Sequence, residues 1–276
     1  MAGSLALPDL PMTASLRTVT VAIGDIPISL ETADPQFREL LVQRYAGFID
    51  VNAAPSYHFN VEITDPATVS DEDVRVYRQG RLWHIERGDF RAELDPRARR
   101  GWVRQARNPY SIDTVLRIAH SLVLAEQGGF LLHSASALRH GQAFLFAGIS
   151  GAGKTTISRL APNDAAVLTD EISYVRRDGS AYRAYGTPFA GELARVGENI
   201  SAPLKTLFFL QQGPVHRIDP VDPRDAARTL LRHILFFAHD VDLVQRVFDA
   251  AVDFVAHVPV ATLTFTPDPD VWELIR

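Results

Sequence analysis

Nine residues, Gly148-Ile149-Ser150-Gly151-Ala152-Gly153-Lys154-Thr155-Thr156, constrain this chain more than any others. An apolar run, Ala143-Phe144-Leu145-Phe146-Ala147, precedes them, and Ile157-Ser158-Arg159-Leu160 follows as the first turns of a helix. The pattern G-x-x-x-x-G-K-[ST] between a strand and a helix holds phosphate with backbone amides. Its glycines admit backbone conformations that a β-carbon disfavours, so successive N–H groups can converge on phosphate oxygens. The positive end of the following helix adds to that field. In this setting Lys154 reaches the β- and γ-phosphates and the Thr155 hydroxyl sits on Mg²⁺. At ordinary residue usage such a match arises by chance on the order of once in a hundred chains of this length. Nucleotide binding is therefore the anchor for everything else.

The rest of the composition excludes several chemistries. A chain of 276 residues can bury a full core, as one large domain or two small ones. It has no cysteine, so disulfides, thiolate zinc sites and cysteine nucleophiles are ruled out. A net charge of −5 gives no general attraction to nucleic acid or to an anionic membrane. No apolar run approaches the roughly 18 residues of a membrane span. The first residues lack the basic region and apolar stretch of a signal peptide. The expectation is a soluble, cytoplasmic protein with neither nucleic acid nor membrane as partner.

Residues 1–15, rich in Pro, Ala and Gly, read as a loose lead-in. Two short strands are expected between Leu16 and Leu30, and a short helix from Pro35 to Val42. Tyr57–Ile63 alternates with period two, as a half-buried strand does. Val74–Tyr77 and Arg81–Glu86 flank a hairpin turn, and Phe90–Leu94 adds a strand. Residues 95–108 carry Arg97, Arg99, Arg100, Arg104 and Arg107, which could grip phosphate or an acidic partner. A charge run is more often a solvated face, so this segment reads as a connector. Apolar positions from Ile112 to Val123 form the stripe of an amphipathic helix, which Gly128-Gly129 ends. Beyond it come a short strand Phe130–His133, a neighbouring one at Ser136–Arg139, and the strand, loop and helix already described. A strand Ala165–Thr169 follows. A hairpin around Asp178-Gly179, a turn-rich loop Gly186–Glu192 and a strand Leu204–Leu210 come next. Helices over Asp225–Ala238 and Val241–Ala256 and a closing strand Val260–Phe265 complete the chain.

Asp170 ends an apolar strand fifteen residues after Thr155. A hard cation prefers oxygen ligands, and an acid at a strand tip faces the same edge as the loop. The adjacent Glu171 makes a pair with separable tasks, one carboxylate for Mg²⁺ and one for a proton. His133, taken alone, fits a satisfied core histidine better than a catalyst.

Four segments occur in the order seen in HPr kinase/phosphorylase-like proteins. They are Leu132-His133-Ser134-Ala135, Phe146–Thr156, Leu168-Thr169-Asp170-Glu171 and Gly186–Glu192. The chain resembles that family, whose catalytic domain is related to ATP-dependent phosphoenolpyruvate carboxykinase, over roughly residues 110–266. The resemblance implies that His133 is an active-site residue, that Asp170 binds metal and that Glu171 is the base. It also marks Glu192 and Arg195 as candidates on a substrate or active-site loop. Three departures stand out. The second acid is Glu rather than Asp, Ile149 replaces an acid of the bifunctional enzymes, and their glycine- and isoleucine-rich signature after Glu192 is missing. The resemblance further implies a divergent relative, of a kind found beside peptide-modification genes, some members of which phosphorylate a serine of a peptide or a small molecule.

These readings combine into an α/β chain. A P-loop, HPr-kinase-like catalytic domain over 109–276, a mixed sheet with flanking helices, follows a smaller β-rich region over 16–108. The expected activity is transfer of the ATP γ-phosphoryl group, with Mg²⁺, to a serine-like hydroxyl of a peptide, protein or small molecule. A homo-oligomer is left open. The alternatives are a nucleotide-binding regulatory module and a carboxykinase-like enzyme.

Overall fold

The computed structural model describes residues 17–64, 72–189 and 196–276, and it is an α/β structure with two mixed sheets. The first sheet takes seven strands: β1 (Thr18–Ile23), β2 (Ile26–Thr32), β3 (Tyr57–Thr64), β4 (Arg75–Gln79), β5 (Leu82–Arg87), β6 (Phe90–Asp95) and β7 (Arg100–Ala106). Their order is β1-β2-β3-β7-β6-β5-β4, with β2, β3 and β7 parallel at the centre. Helix α1 (Pro35–Arg44) begins at Asp34, whose carboxylate accepts from the N–H groups of Gln36 and Phe37.

The arginine-rich segment is thus no mere connector. Arg100–Ala106 is a central strand, in register with β3 from His58↔Arg100 to Thr64↔Ala106. Val103 and Gln105 point into the core, while Arg100 and Arg104 stand on the open face. Charges on alternate residues hid a strand that is buried on one side only. The arginines find acids on neighbouring elements: Arg107 pairs with Asp34, and Arg104 lies 3.6 Å from Glu62.

Helix α2 (Pro109–Glu126), capped by Asn108, is buried at twelve of its eighteen positions. That is more than the amphipathic stripe requires, and it fits a helix packed on both sides. Its buried polar groups are anchored across the fold. Asp113 accepts from Arg44 at 2.6 Å and from the Tyr45 hydroxyl. His120 Nδ1 lies 3.1 Å from the Tyr174 hydroxyl. Burial pushes the His120 imidazole down to about 3, so it stays neutral. One apolar cluster runs from Val21, Leu30 and Phe59 through Leu116 and Leu124 to Leu132 and Val175, spanning both sheets.

The second sheet contains β8 (Phe130–Arg139), β9 (Gln142–Ala147), β10 (Ala165–Thr169), β11 (Ile172–Asp178), β12 (Ala181–Tyr185), β13 (Ser201–Gln212), β14 (Arg217–Pro220) and β15 (Val260–Phe265). The expected Phe130–His133 and Ser136–Arg139 are one strand, whose second half also pairs with β10 on its other edge. Residues 130–133 pair with β11, and residues 134–139 pair with β9. Strand β13 divides the same way, first with β12 and then between β9 and β15. The two long strands therefore close β8, β9, β13, β12 and β11 into a ring.

Helix α4 (Pro223–Leu231) stops seven residues short of the expected end. The chain then runs beside β8, where His233 O accepts from His133 N at 2.8 Å and Leu235 N donates to Leu131 O at 2.9 Å. Backbone groups on that stretch of β8 compete successfully with the helix for partners. Helix α5 (Val241–His257) follows. Strand β14 and a terminal 3-10 helix, Pro269–Leu274, were not foreseen. The latter brings Trp272 under the phosphate-loop helix, its Nε1 donating to Ile157 O at 3.2 Å. Among the described residues, no helix is long and apolar enough to cross a membrane.

Candidate active site

Strand directions decide which chain ends meet. β9, β13 and β15 are parallel, and β8 opposes β9 while β10 opposes β8. The carboxyl ends of β9, β10, β13 and β15 therefore share one edge of the sheet, where open α/β sheets bind ligands.

From the end of β9 the chain turns through Gly148–Gly153 into helix α3 (Lys154–Arg159). Gly151 and Gly153 have φ of 79° and 112°, a region that L side chains rarely adopt. A β-carbon on Gly153 would also meet the Phe265 ring at 2.7 Å. Lys154 Nζ folds back over the loop and donates to Gly148 O at 2.8 Å and Ile149 O at 3.3 Å. Ile149 is 78% exposed at the loop's crest, and Thr155 and Thr156 are half-buried. Six residues make α3 short, so its first-turn N–H groups matter more here than a long dipole.

Asp170 lies just past β10 and is only 5% exposed, whereas Glu171 is half-buried. The Thr169 hydroxyl accepts from Glu171 N at 3.3 Å and from Ile172 N at 3.2 Å, reversing the chain tightly into β11. Glu171 O accepts from Ser134 N at 3.0 Å, and Ile172 is the cross-strand partner of His133. These pairings bring Glu171 beside the His133–Ser134 peptide. Burial, and then the charges of Lys154 and His233, hold the His133 imidazole below its usual range. The structure thus gathers Lys154, Asp170, Glu171 and His133 at one edge.

The described part of the Gly186–Glu192 loop, Gly186–Phe189, is tied to the same corner. Gly186 N donates to Ile200 O at 2.9 Å, Thr187 Oγ1 to Ile172 O at 3.1 Å, and Gly197 N to Thr187 O at 3.1 Å. Glu192 and Arg195 lie outside the described residues. A β-carbon on Gly197 would fall 1.8 Å from Leu168 O, inside the strand that carries Asp170. Gly197→Ala should therefore force β10 to move, costing about 1–3 kcal/mol as overpacking does. Urea unfolding measures this, and an unchanged midpoint would show that the close approach does not exist.

Sequence reasoning missed Gln212 and His233. Gln212 ends β13, and its Nε2 donates to Gly151 O at 2.7 Å, bracing the loop from the neighbouring strand. His233 enters through the backbone bond with His133. No local pattern marks either residue, because each is placed by pairing with a distant strand. On the Gln212 side, a 420 Å³ cavity opens between Gly153, Thr156, Gly213, Phe265 and Pro267.

Mg²⁺ can be tested against the donor set. Among the described residues, no three His, Cys, Asp or Glu side chains form a metal cluster. What the edge offers is a threonine hydroxyl and one buried carboxylate. That suits Mg²⁺, which commonly takes one or two carboxylates and completes its shell with phosphate oxygens and water.

The fold and this edge define an α/β protein with mixed sheets and a glycine-rich loop of the phosphate-binding pattern between strand and helix. The chain belongs to the family described as SynChlorMet cassette protein ScmC, whose model matches residues 110–276. None of the curated proteins matches it. Among solved structures, the Hpr(Ser) kinase/phosphatase from Coxiella burnetii is similar over 52% of this chain and 90% of that one. The identity is 9% and the TM-score 0.28, a distant relation that decides nothing about activity.

Proposed function

We propose that this protein is a kinase that transfers the γ-phosphoryl group of ATP, with Mg²⁺, to a serine-like hydroxyl of a peptide, protein or small molecule. The observation that supports it is the meeting of the phosphate loop, Lys154, an acidic pair and a histidine at one sheet edge. Pure nucleotide binding needs one metal carboxylate, and here a second acid stands next to it.

In this reading the loop amides and Lys154 hold the triphosphate, the ammonium exchanging the Gly148 and Ile149 carbonyls for phosphate oxygens. Thr155 and Asp170 would hold Mg²⁺, which supplies neutralisation of charge on the β- and γ-oxygens. The acceptor oxygen forms a bond to the γ-phosphorus as the bond from phosphorus to the bridging β,γ-oxygen breaks and ADP leaves. The acceptor's proton passes to a Glu171 carboxylate oxygen. His133, kept neutral, orients the acceptor by a hydrogen bond. Much of the rate comes from positioning and charge neutralisation, as in phosphoryl transfer generally.

Incubation with γ-labelled ATP, Mg²⁺ and a panel of serine-containing peptides, free serine and small alcohols tests this directly. Label should appear in an acceptor. A protein that binds Mg·ATP but labels nothing across that panel would instead be a nucleotide-binding regulatory module.

A further inference from the structure

The cavity beside the loop is not used by the chemistry above. It lies on the β13–β15 side of β9, between the first turn of α3 and the strand ends carrying Gln212, Gly213 and Phe265. His133, Asp170 and Glu171 all lie on the other side of β9, along β8 and the β10–β11 turn. A phosphate chain on the loop therefore has two distinct flanks. Its reacting end must face the acidic pair, and whatever it carries at the other end must leave toward β13 and β15. From β10 to β15 there are four strand spacings, roughly 19 Å, enough for an extended triphosphate and a nucleoside.

We propose that this cavity is the nucleoside subsite of the phosphate loop, a proposal that rests on the nucleotide reading above. At 420 Å³ it falls in the size range of small-molecule pockets. Phe265 supplies an apolar floor, held against the loop because Gly153 has no β-carbon. The rim is Thr156, Gln212, Thr266 and Pro267, and among the described residues no charged side chain lines the cavity. A neutral base suits such a lining. With no carboxylate in the lining to accept from guanine's two adjacent donors, guanine gains no charge-assisted pair over adenine here.

Calorimetry with Mg·ATP, Mg·GTP and inorganic tripolyphosphate, on the wild type and on Thr266→Trp, tests the proposal. The wild type should bind ATP at least tenfold more tightly than tripolyphosphate, and GTP no more tightly than ATP. Thr266→Trp, which fills the cavity, should erase the ATP advantage and leave tripolyphosphate binding within twofold. Hydrogen exchange on the wild type gives a second reading that needs no variant. ATP, but not tripolyphosphate, should slow exchange in peptides covering Gln212–Gly213 and Phe265–Thr266. Tripolyphosphate binding with no ATP advantage, an ATP advantage that survives Thr266→Trp, or equal protection by both ligands would overturn the subsite and leave the phosphate loop standing. A wild type that binds none of the three would overturn the nucleotide reading itself.

Discussion

Lys154→Ala should weaken Mg·ATP binding by roughly 10- to 150-fold, with turnover falling at least as far. A hydrogen bond to a charged group contributes about 1.5 to 3 kcal/mol, and each 1.4 kcal/mol is a factor of ten. The ammonium is already gathered over the loop by the Gly148 and Ile149 carbonyls, so little conformational freedom remains to be lost when phosphate arrives. Calorimetry on the variant, with thermal unfolding as a control for the loop's integrity, gives the measurement. Unchanged affinity in a folded variant would remove Lys154 from the site.

The second large effect separates the two acids. Asp170 is almost fully buried at the strand tip and Glu171 is half-buried in the turn, so their environments already differ. Asp170→Asn should weaken the Mg²⁺-dependent part of nucleotide binding. Glu171→Gln keeps the side chain's shape and should leave Mg·ATP affinity nearly intact. Its loss should fall on the chemical step, by roughly 10²- to 10⁴-fold in single-turnover transfer. The lower end is expected, since phosphoryl transfer is largely positioning. Full transfer by Glu171→Gln would refute its role as base. Equal loss of nucleotide affinity in both variants would mean that the acids share one task.

Much of this was readable along the chain wherever residues near one another in sequence settle the matter. The strand–loop–helix around Lys154 is one case, since a buried apolar strand, left-handed glycines and a following helix are neighbours. The Asp170–Glu171 turn is another, closed by the hydroxyl of the adjacent Thr169. Strand β3 followed its period-two alternation, and β4 and β5 form the hairpin that the turn around Gly80 marked. Strand β7 did not, because its arginines lie on the open face of a sheet whose other face alone is buried. The end of α4 was misjudged for a different reason. Its residues suit a helix, and only the pairing of 233–235 with β8 draws them out of one.

The sequence by itself determined a glycine-rich loop of the phosphate-binding pattern, a carboxylate pair at a strand end and an α/β chain without thiol chemistry. Local backbone preference and the chemistry of single side chains are sufficient for those. Only the tertiary structure decided that β10 runs parallel to β9 through an antiparallel β8, which puts the acids and the loop on one edge. It alone brought His133 to Lys154, Gln212 to Gly151 and Phe265 to Gly153. Strand order and direction follow from how all the apolar faces are buried together, and no segment carries that information by itself.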